Sequence, residues 1–279
     1  TDSTLRGKPD NQSVDYSTRI SGLNEILEVT TKPIIFDADN GGRLEHLPYM
    51  IKSLERIGVS AVIIEDKIGL KKNSLFADQS EVKQDNIKKF CKKISKAKET
   101  KISDDFLIIA RLESLVAGIG LNDCVLRAEK YMRAGADGIM IHSKQKKPDE
   151  IIAFTEKFHD LCKKLRLKPY LVAVPTTYNS IKDSELKKLG VNIVIHANHL
   201  LRASYEAMLE TASKIIESDR SKEVDDQIVS VKNIFSVVGY DKIVQRERIK
   251  SDLDDITVII PAAGESKDFD NNPKSLIEI

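Results

Sequence analysis

The sequence predicts an α/β protein, and among α/β folds it favours a (β/α)8 barrel of the TIM type. Three observations support this prediction. Short apolar runs alternate with amphipathic stretches over most of the 279 residues, nearly every apolar run ends in polar side chains, and a hydrophobic fraction of 41% is enough for a sizeable core.

Six apolar runs have the length and composition of strands that are buried on both faces. They are rich in Ile, Val, Leu, Phe and Ala, and polar or glycine-containing stretches separate them. The runs are PIIFDAD (33–39), AVIIED (61–66), DFLIIAR (105–111), DGIMIHS (137–143), PYLVAVP (169–175) and VNIVIHAN (191–198).

Amphipathic stretches with helical spacing lie between these runs. They are RLEHLPYMIKSLERIG (43–58), DNIKKFCKKISKAKE (85–99), LNDCVLRAEKYMRAGA (121–136) and PDEIIAFTEKFHDLCKKL (148–165). Gly58, Gly135 and Gly190 stand where helices are predicted to end, as expected for left-handed C-cap residues. Strands that alternate with helices at this spacing predict a parallel sheet.

The polar residues at the strand ends distinguish a barrel from an open doubly wound sheet. An open sheet concentrates its ligand contacts near one switch point, whereas a barrel enzyme has polar groups around its whole C-terminal mouth. The polar strand ends are Asp37 with Asp39, Glu65 with Asp66, Arg111 with Glu113, His142 with Ser143, Pro175 with Thr176, and His196 with Asn198. This distribution favours the barrel. Because a barrel needs eight strands, we expect it to be N-terminally incomplete, with the first strand and helix missing before Thr1.

The character of the sequence changes near residue 240. Residues 1–240 carry the strand–helix alternation and are predicted to form the barrel. Residues 241–254 are charged and have no apolar period, which is typical of a linker. Residues 255–279 contain a new apolar run and a glycine-containing loop, and they predict a C-terminal stub of a second α/β domain.

Composition narrows the class of partner. The 44 basic and 43 acidic residues nearly cancel, so no overall charge favours nucleic acid or an anionic membrane. No apolar run approaches the roughly 20 residues that a membrane span needs. Cys91, Cys124 and Cys162 show neither a disulfide pattern nor metal-ligand spacing, which is typical of a reducing compartment. We therefore expect a cytoplasmic protein with neither a nucleic-acid nor a membrane partner.

Three carboxylates end two neighbouring strands. Asp37 and Asp39 follow one strand, and Glu65 ends the next. Oxygen ligands without His or Cys beside them suit a hard cation such as Mg²⁺. The alternative is that the Asp-Ala-Asp turn only caps the following helix.

Cationic and hydrogen-bonding residues end the next strands. Arg111 could clamp a carboxylate or a phosphate, or it could form an ion pair with Glu113 or Glu65. His142 could contact the same anion, although a lone histidine is more often a hydrogen-bonded structural residue.

The loop after the second strand, in EDKIGLKKNS (65–74), adds further candidates. Lys71 could offset the charge of an anion, and Asn73 could donate hydrogen bonds to it. An ordinary solvated loop is the alternative.

Seven blocks of sequence resemble the phosphoenolpyruvate mutase family, within the isocitrate lyase/phosphoenolpyruvate mutase superfamily. They occur in order over residues 1–240: DADNGG (37–42), EDKIGLKKNSL (65–75), IIARLESLVAGIGL (108–121), RAEKYMRAGADGIMIHSK (127–144), VAVPTTY (172–178), ANHLLRAS (197–204) and IVSVKNIF (228–235). The resemblance implies a (β/α)8 barrel that is a homodimer or a dimer of dimers.

The loop at Lys71 separates members of the superfamily. Relatives that cleave carbon–carbon bonds carry a catalytic Cys in this loop, and this sequence has none there. Phosphonopyruvate hydrolase resembles the mutase closely but typically has Thr where this sequence has Asn73. The resemblance therefore favours an isomerase, with the hydrolase as the alternative on the same barrel. A catalytically silent fragment or scaffold is an alternative of another class.

The resemblance implies a reaction and a cofactor. The enzyme would interconvert phosphoenolpyruvate and phosphonopyruvate through a loose, metaphosphate-like state. Mg²⁺ would be bound directly by Asp37, and Asp39, Glu65 and Asp10 would hold it through waters.

The resemblance also implies the roles of four other residues. Arg111 would bind carboxylate or phosphoryl oxygens of the substrate, and His142 would hydrogen-bond the phosphoryl group. Asn73 would guide that group during transfer, while Lys71 would close the loop and exclude water.

Two features depart from the family pattern. A substrate-binding Ser-Gly-Leu or Ser-Ser-Leu segment is expected before Thr1, and it is not in this sequence. DADNGG differs from the more common DADTGYG, although both aspartates are kept.

The tail resembles the start of a nucleotidyltransferase domain, as in a phosphonate cytidylyltransferase. The match is Ala-Ala-Gly at 262–264 and Pro-Lys at 273–274. The resemblance implies that Gly264 and Lys274 would contact nucleotide phosphates. Ser and Asp replace the usual second Gly and the Arg.

Overall fold

The computed structural model describes residues 2–69 and 83–251. Residues 70–82 and 252–279, and therefore Lys71, Asn73, Gly264 and Lys274, lie outside the described residues. The chain divides into two compact units, Thr1–Arg202 and Ala203–Ile279, and each is described by itself.

In the described residues of the first unit, six parallel strands form a central sheet that is curled into a half-barrel. The order is β1-β2-β5-β6-β7-β8, and every ladder is parallel. The strands are β1 (Ile35–Asp37), β2 (Ala61–Glu65), β5 (Leu107–Leu112), β6 (Gly138–Ile141), β7 (Tyr170–Ala173) and β8 (Ile193–Val194). Five of them lie within the predicted apolar runs and β5 extends one residue beyond its run, so the predicted α/β class is confirmed.

The helices that precede β8 are α1 (Asp2–Leu5), α2 (Tyr16–Val29), α3 (Leu47–Arg56), α4 (Ile87–Thr100), α5 (Leu121–Arg133), α6 (Asp149–Leu165) and α7 (Asp183–Lys188). Helices α3 to α6 coincide with the four predicted amphipathic stretches, whereas α1, α2 and α7 were not predicted. Asn86 caps α4 by accepting hydrogen bonds from the backbone of Lys88 and Lys89. Gly58 and Gly135 adopt φ angles of 92° and 104° just after α3 and α5, as predicted for C-cap positions.

Two apolar clusters lie on the two faces of the sheet. Alternate strand residues such as Val62 and Ile64 join the larger cluster, which also contains apolar residues of α3 to α7. Their neighbour Ile63 joins a smaller cluster with Ile109 and Met140 on the other face. Because successive strand side chains point to opposite faces, the smaller cluster fills the inside of the curled sheet.

A short antiparallel ribbon stands beside the end of β2. Its strands are β3 (Lys67–Ile68) and β4 (Lys83–Gln84), and Lys67 pairs with Gln84. The sequence did not predict this ribbon, because two-residue strands have no readable period. Residues 70–82 lie between its two strands in the sequence.

The second unit is helical over its described part. Helix α8 (His199–Ser218) begins in the first unit and continues into the second, where a 3-10 helix (Lys222–Val224), α9 (Val231–Val237) and α10 (Tyr240–Ser251) follow. Helix α10 covers most of the stretch 241–254 that the sequence predicts as a charged linker. The domain boundary itself stays a prediction. None of the helices in the described part of the chain is both long and apolar enough to cross a membrane.

Candidate active site

The Asp-Ala-Asp turn brings two carboxylates to the C-terminal edge of the sheet. Asp37 ends β1 and is exposed, whereas Asp39 is buried and has a φ angle of 52°. The Asp39 amide donates to Asp37 Oδ1 at 3.0 Å, and the Glu65 amide donates to the Asp39 carbonyl at 2.8 Å. These two bonds join the end of β1 to the end of β2, so the three carboxylate residues predicted from sequence are neighbours.

Helix α2 supports this turn from outside the sheet. Arg19 Nη1 lies 3.0 Å from Asp39 Oδ2, and Arg19 Nη2 donates to the Asp37 carbonyl. The Tyr16 hydroxyl donates to the Ala38 carbonyl at 2.7 Å. The sequence did not single out Arg19 or Tyr16, because nothing local links α2 to a turn about twenty residues later.

Arg111 lies between two buried glutamates at the end of β5. In the parallel register Glu65 is the partner of Arg111, and Arg111 Nη1 lies 3.5 Å from Glu65 Oε2. Arg111 Nε lies 2.6 Å from Glu113 Oε1, and Glu113 Oε2 lies 3.3 Å from Lys67 Nζ. The ion pair considered as an alternative is therefore formed, and Lys67 extends it towards β3.

The charges of this cluster shift its pKa values in opposite directions. Burial raises the pKa of Glu65 to about 7; Arg111 opposes the shift, while Glu113 and Asp37 add to it. Burial alone would raise the pKa of Glu113 as well, but Arg111 and Lys67 outweigh it and keep that pKa below its ordinary value. The site therefore holds Glu113 as a carboxylate and has a proton-sensitive carboxyl at Glu65.

His142 follows β6 and is 4% exposed. Burial lowers the pKa of His142 to about 4, and the charges of Arg111 and Lys67 lower it further, against a smaller opposite effect of Glu113. The ring therefore lies beside the Arg111 cluster and is neutral near pH 7. A neutral imidazole can donate one hydrogen bond through one nitrogen.

Asp66 belongs to a second, buried network of hydrogen bonds and ion pairs. Its Oδ2 accepts from Tyr131 Oη at 2.8 Å and lies 3.1 Å from Arg127 Nη1, and its Oδ1 accepts from the Glu113 amide at 2.9 Å. Burial raises the pKa of Asp66 to about 7, against the opposing charge of Arg127. Through Asp66, this network links the backbone amide of Glu113 and the end of β2 to helix α5. Asp66 therefore has a structural role.

Asp10 lies in the loop between α1 and α2 and is partly buried. Its place among the metal-binding residues stays a prediction, as do the roles of Lys71, Asn73, Gly264 and Lys274 outside the described residues.

The donor set fits Mg²⁺. Asp37, Asp39 and Glu65 offer carboxylate oxygens. The raised pKa of Glu65 comes first from burial and then from the negative charges of Glu113 and Asp37, and a bound cation would favour its charged form. Within residues 2–69 and 83–251, no three His, Cys, Asp or Glu side chains converge closely enough to form a complete metal cage. Mg²⁺ does not need such a cage, because it binds through one or two carboxylates together with waters and substrate oxygens.

Comparison with known proteins assigns this arrangement to a family. The family described as phosphoenolpyruvate phosphomutase matches residues 1–216. The chain belongs to the phosphoenolpyruvate phosphomutase family. It is therefore an enzyme of the phosphoenolpyruvate mutase/isocitrate lyase superfamily, as the sequence blocks predicted.

The curated relatives of this chain include enzymes with two different activities. A phosphoenolpyruvate phosphomutase of Tetrahymena pyriformis is 35% identical over 88% of this chain and 80% of its own length. A phosphonopyruvate hydrolase of Variovorax sp. is 36% identical over 83% of this chain and 78% of its own length. Overall identity therefore does not distinguish the mutase from the hydrolase.

Solved structures of the family match the fold. A phosphoenolpyruvate phosphomutase from Streptomyces platensis subsp. rosaceus aligns with a TM-score of 0.82 and 31% identity, over 88% of this chain and 83% of its own. A phosphonopyruvate hydrolase in complex with oxalate and Mg²⁺ aligns with a TM-score of 0.77 and 33% identity, over 88% of this chain and 82% of its own.

Proposed function

We propose that this protein is a phosphoenolpyruvate phosphomutase that interconverts phosphoenolpyruvate and phosphonopyruvate. What supports the proposal is the grouping at one edge of the sheet: carboxylates for a hard cation (Asp37, Glu65), a guanidinium for an anion (Arg111) and a neutral imidazole (His142). A substrate with a carboxylate, an enolate oxygen and a phosphoryl group needs these partners.

The metal site would consist of Asp37, Asp39, Glu65 and Asp10. Mg²⁺ bound there would act as a Lewis acid towards the enolate oxygens of the substrate. The chain's own contribution is to hold the carboxylates in place and to keep them charged. Glu65 meets the second requirement only above its raised pKa of about 7 or with the cation bound.

Transfer of the phosphoryl group depends on position and charge. The carbon–phosphorus bond of phosphonopyruvate breaks, the enolate keeps the electron pair, and the enolate oxygen then captures the phosphoryl group. Arg111 would bind the oxygens that carry negative charge, and it stays protonated because Glu113 and Glu65 raise its pKa. His142 would donate a hydrogen bond from its neutral ring.

Two residues outside the described part of the chain complete the proposal by resemblance. Asn73 would guide the phosphoryl group, and Lys71 would exclude water from it. Exclusion of water decides the product, because water that reaches the phosphoryl group gives hydrolysis instead of transfer.

Phosphonopyruvate hydrolase is the second candidate function, and the 36% identity to the Variovorax enzyme favours it. On the same grouping of residues it would release pyruvate and inorganic phosphate. Asn73, in place of the typical Thr, favours the mutase.

The deciding experiment incubates the protein with phosphonopyruvate in the presence of Mg²⁺ and follows the phosphorus compounds by ³¹P NMR. Conversion of the phosphonate signal to that of phosphoenolpyruvate, lost in Asn73→Ala and in His142→Ala, would support the mutase. Inorganic phosphate as the product would support the hydrolase. If neither phosphoenolpyruvate nor inorganic phosphate forms, the result would favour a catalytically silent scaffold and would contradict the proposed roles of the site residues. Lys163→Ala, at an exposed position of α6, is the matched control and should keep full activity.

We further propose, from sequence resemblance, that residues 255–279 begin a fused nucleotidyltransferase domain in which Gly264 and Lys274 contact phosphates.

We also propose that the protein is cytoplasmic and that it forms a homodimer or a dimer of dimers. Exposed apolar residues on the second unit support self-association, including Met208 at 61% and Ile216 at 79% exposure.

A further inference from the structure

We propose that Arg19 is a positioning residue for the metal site, which it serves by fixing the Asp-Ala-Asp turn from helix α2. The inference rests on the proposed Mg²⁺ site. It assigns a role to a residue that is expected to touch neither the metal nor the substrate.

Arg19 contacts both aspartates of the turn. Its Nη1 lies 3.0 Å from Asp39 Oδ2, and its Nη2 donates to the backbone carbonyl of Asp37. One planar guanidinium therefore holds the side chain of one carboxylate residue and the backbone of the other. A lysine ammonium could not span both positions with the same geometry.

Packing holds the guanidinium itself in place. Its Cζ lies 4.4 Å from the centre of the Phe36 ring and 5.7 Å from that of Tyr16. The Arg19 side chain is 15% exposed, and that of Asp39 is 5% exposed. A stacked and largely buried guanidinium has few other positions available, so it can transmit the rigidity of α2 to the turn.

The backbone of the turn needs such support. Asp39 has a φ angle of 52°, in the left-handed region that most residues with a side chain avoid. Residues keep such a conformation when surrounding contacts hold them there. Around Asp39 these contacts include the Arg19 ion pair, the bond from the Asp39 amide to Asp37 Oδ1, and the bond from the Glu65 amide to the Asp39 carbonyl.

Two possible roles of Arg19, neutralising charge and orienting the carboxylates, predict opposite changes in Mg²⁺ affinity when Arg19 is removed. If Arg19 only offset negative charge, its removal would strengthen the attraction between the carboxylates and a divalent cation. If Arg19 orients the carboxylates, its removal weakens metal binding, as loss of an outer hydrogen-bond partner typically does by about 10–100-fold. The sign of the change therefore distinguishes the two roles.

The test is calorimetric titration of the metal-free protein with MgCl₂ at pH 8, in the wild type, Arg19→Met and Arg19→Lys. We expect the Kd for Mg²⁺ to rise by about 10–100-fold in Arg19→Met and by less in Arg19→Lys, because an ammonium can keep one of the two contacts of the guanidinium. Arg133→Met, which removes an exposed ion pair with Glu129 on α5, is the matched control and should leave the Kd unchanged.

An unchanged or lower Kd in Arg19→Met would overturn the inference while leaving the proposed function intact. A wild type that does not bind Mg²⁺ at millimolar concentration would overturn the proposed metal site, and the inference with it. Thermal unfolding of the metal-free variants shows whether they fold. If Arg19→Met does not fold, an unchanged Kd in the folded Arg19→Lys variant overturns the inference.

Discussion

Arg111 Nε lies 2.6 Å from Glu113 Oε1, and the other oxygen of this glutamate lies 3.3 Å from Lys67 Nζ. Glu113 is fully buried and pairs with two cations, Arg111 with a 12% exposed side chain and Lys67 with a 3% exposed one. One of them is the proposed substrate-binding residue, and the other begins strand β3. Glu113 thus sets the position of the Arg111 guanidinium before any substrate arrives.

Replacing Glu113 with Gln should reduce both stability and activity. The change leaves the two cations without their shared counter-charge, which typically costs about 3–5 kcal/mol of unfolding free energy. A displaced guanidinium should also lower kcat/KM by about 100-fold. Urea unfolding and steady-state kinetics measure the two effects. Glu129→Gln, on the exposed face of α5, should change neither; a wild-type result for Glu113→Gln would show that Arg111 is held by other groups.

Replacing Tyr131 with Phe should destabilise the protein without changing its chemistry. The Tyr131 hydroxyl donates to Asp66 at 2.8 Å inside the core, and its loss leaves a buried carboxylate one hydrogen bond short. Such a loss costs about 1–3 kcal/mol. Chemical denaturation of Tyr131→Phe measures it, with Tyr49→Phe, at a site that is 72% exposed, as the control. Equal stability of the two variants would contradict the role given to this network.

The metal-free protein should lose stability through Glu65 as the pH rises. The folded protein raises the pKa of Glu65 from 4.5 to about 7, so the folded state binds this proton more tightly than the unfolded state does. The stabilising contribution is complete below about pH 4.5 and is lost as the pH rises through about 7.

Glu65→Gln isolates this effect, because glutamine resembles the protonated carboxyl and does not titrate. We expect the variant to match the wild type at pH 4 and to exceed it at pH 8, by up to about 3 kcal/mol. Urea unfolding without Mg²⁺ at several pH values compares them. Parallel pH profiles for the two proteins would show that the pKa of Glu65 is ordinary.

His142 should remain neutral over the whole physiological range. Burial and the charge of Arg111 lower its pKa to about 4, so the ring gains a proton only in acid. ¹⁵N NMR of the imidazole should show a neutral ring at pH 6 in the wild type, with His142→Asn assigning the signal. The exposed His196 serves as a comparison within the same spectrum. A charged His142 at pH 6 would contradict the proposal that it donates one hydrogen bond from a neutral ring.

The protein should self-associate through its second unit. Helix α8 contains no buried residue, and Tyr205, Met208 and Leu209 on it are each more than half exposed. Light scattering should give at least twice the chain mass of 31.3 kDa. Met208→Lys should lower that mass, whereas Glu210→Lys, on the opposite side of the helix from Met208, should not. A monomeric wild type would contradict the prediction.

The sequence alone was sufficient for the positions of the six strands of the central sheet and of helices α3 to α6 along the chain. The strands are buried on both faces and the helices on one, so each type has its own local hydrophobic period. Strand ends in a parallel sheet share one edge, so Asp37, Glu65, Arg111 and His142 could be grouped without coordinates. The family could likewise be identified from ordered blocks of residues.

Only the tertiary structure decided which side chains meet. Arg19 joins the Asp-Ala-Asp turn from another helix, Lys67 and Arg111 share Glu113, and β3 pairs with β4 across residues 70–82. The shifted pKa values of Glu65 and His142 could not be predicted from the sequence either, because burial and neighbouring charges cause the shifts. Hydrophobic period is a property of consecutive residues, whereas ion pairs and desolvation depend on residues that the fold brings together from distant parts of the chain.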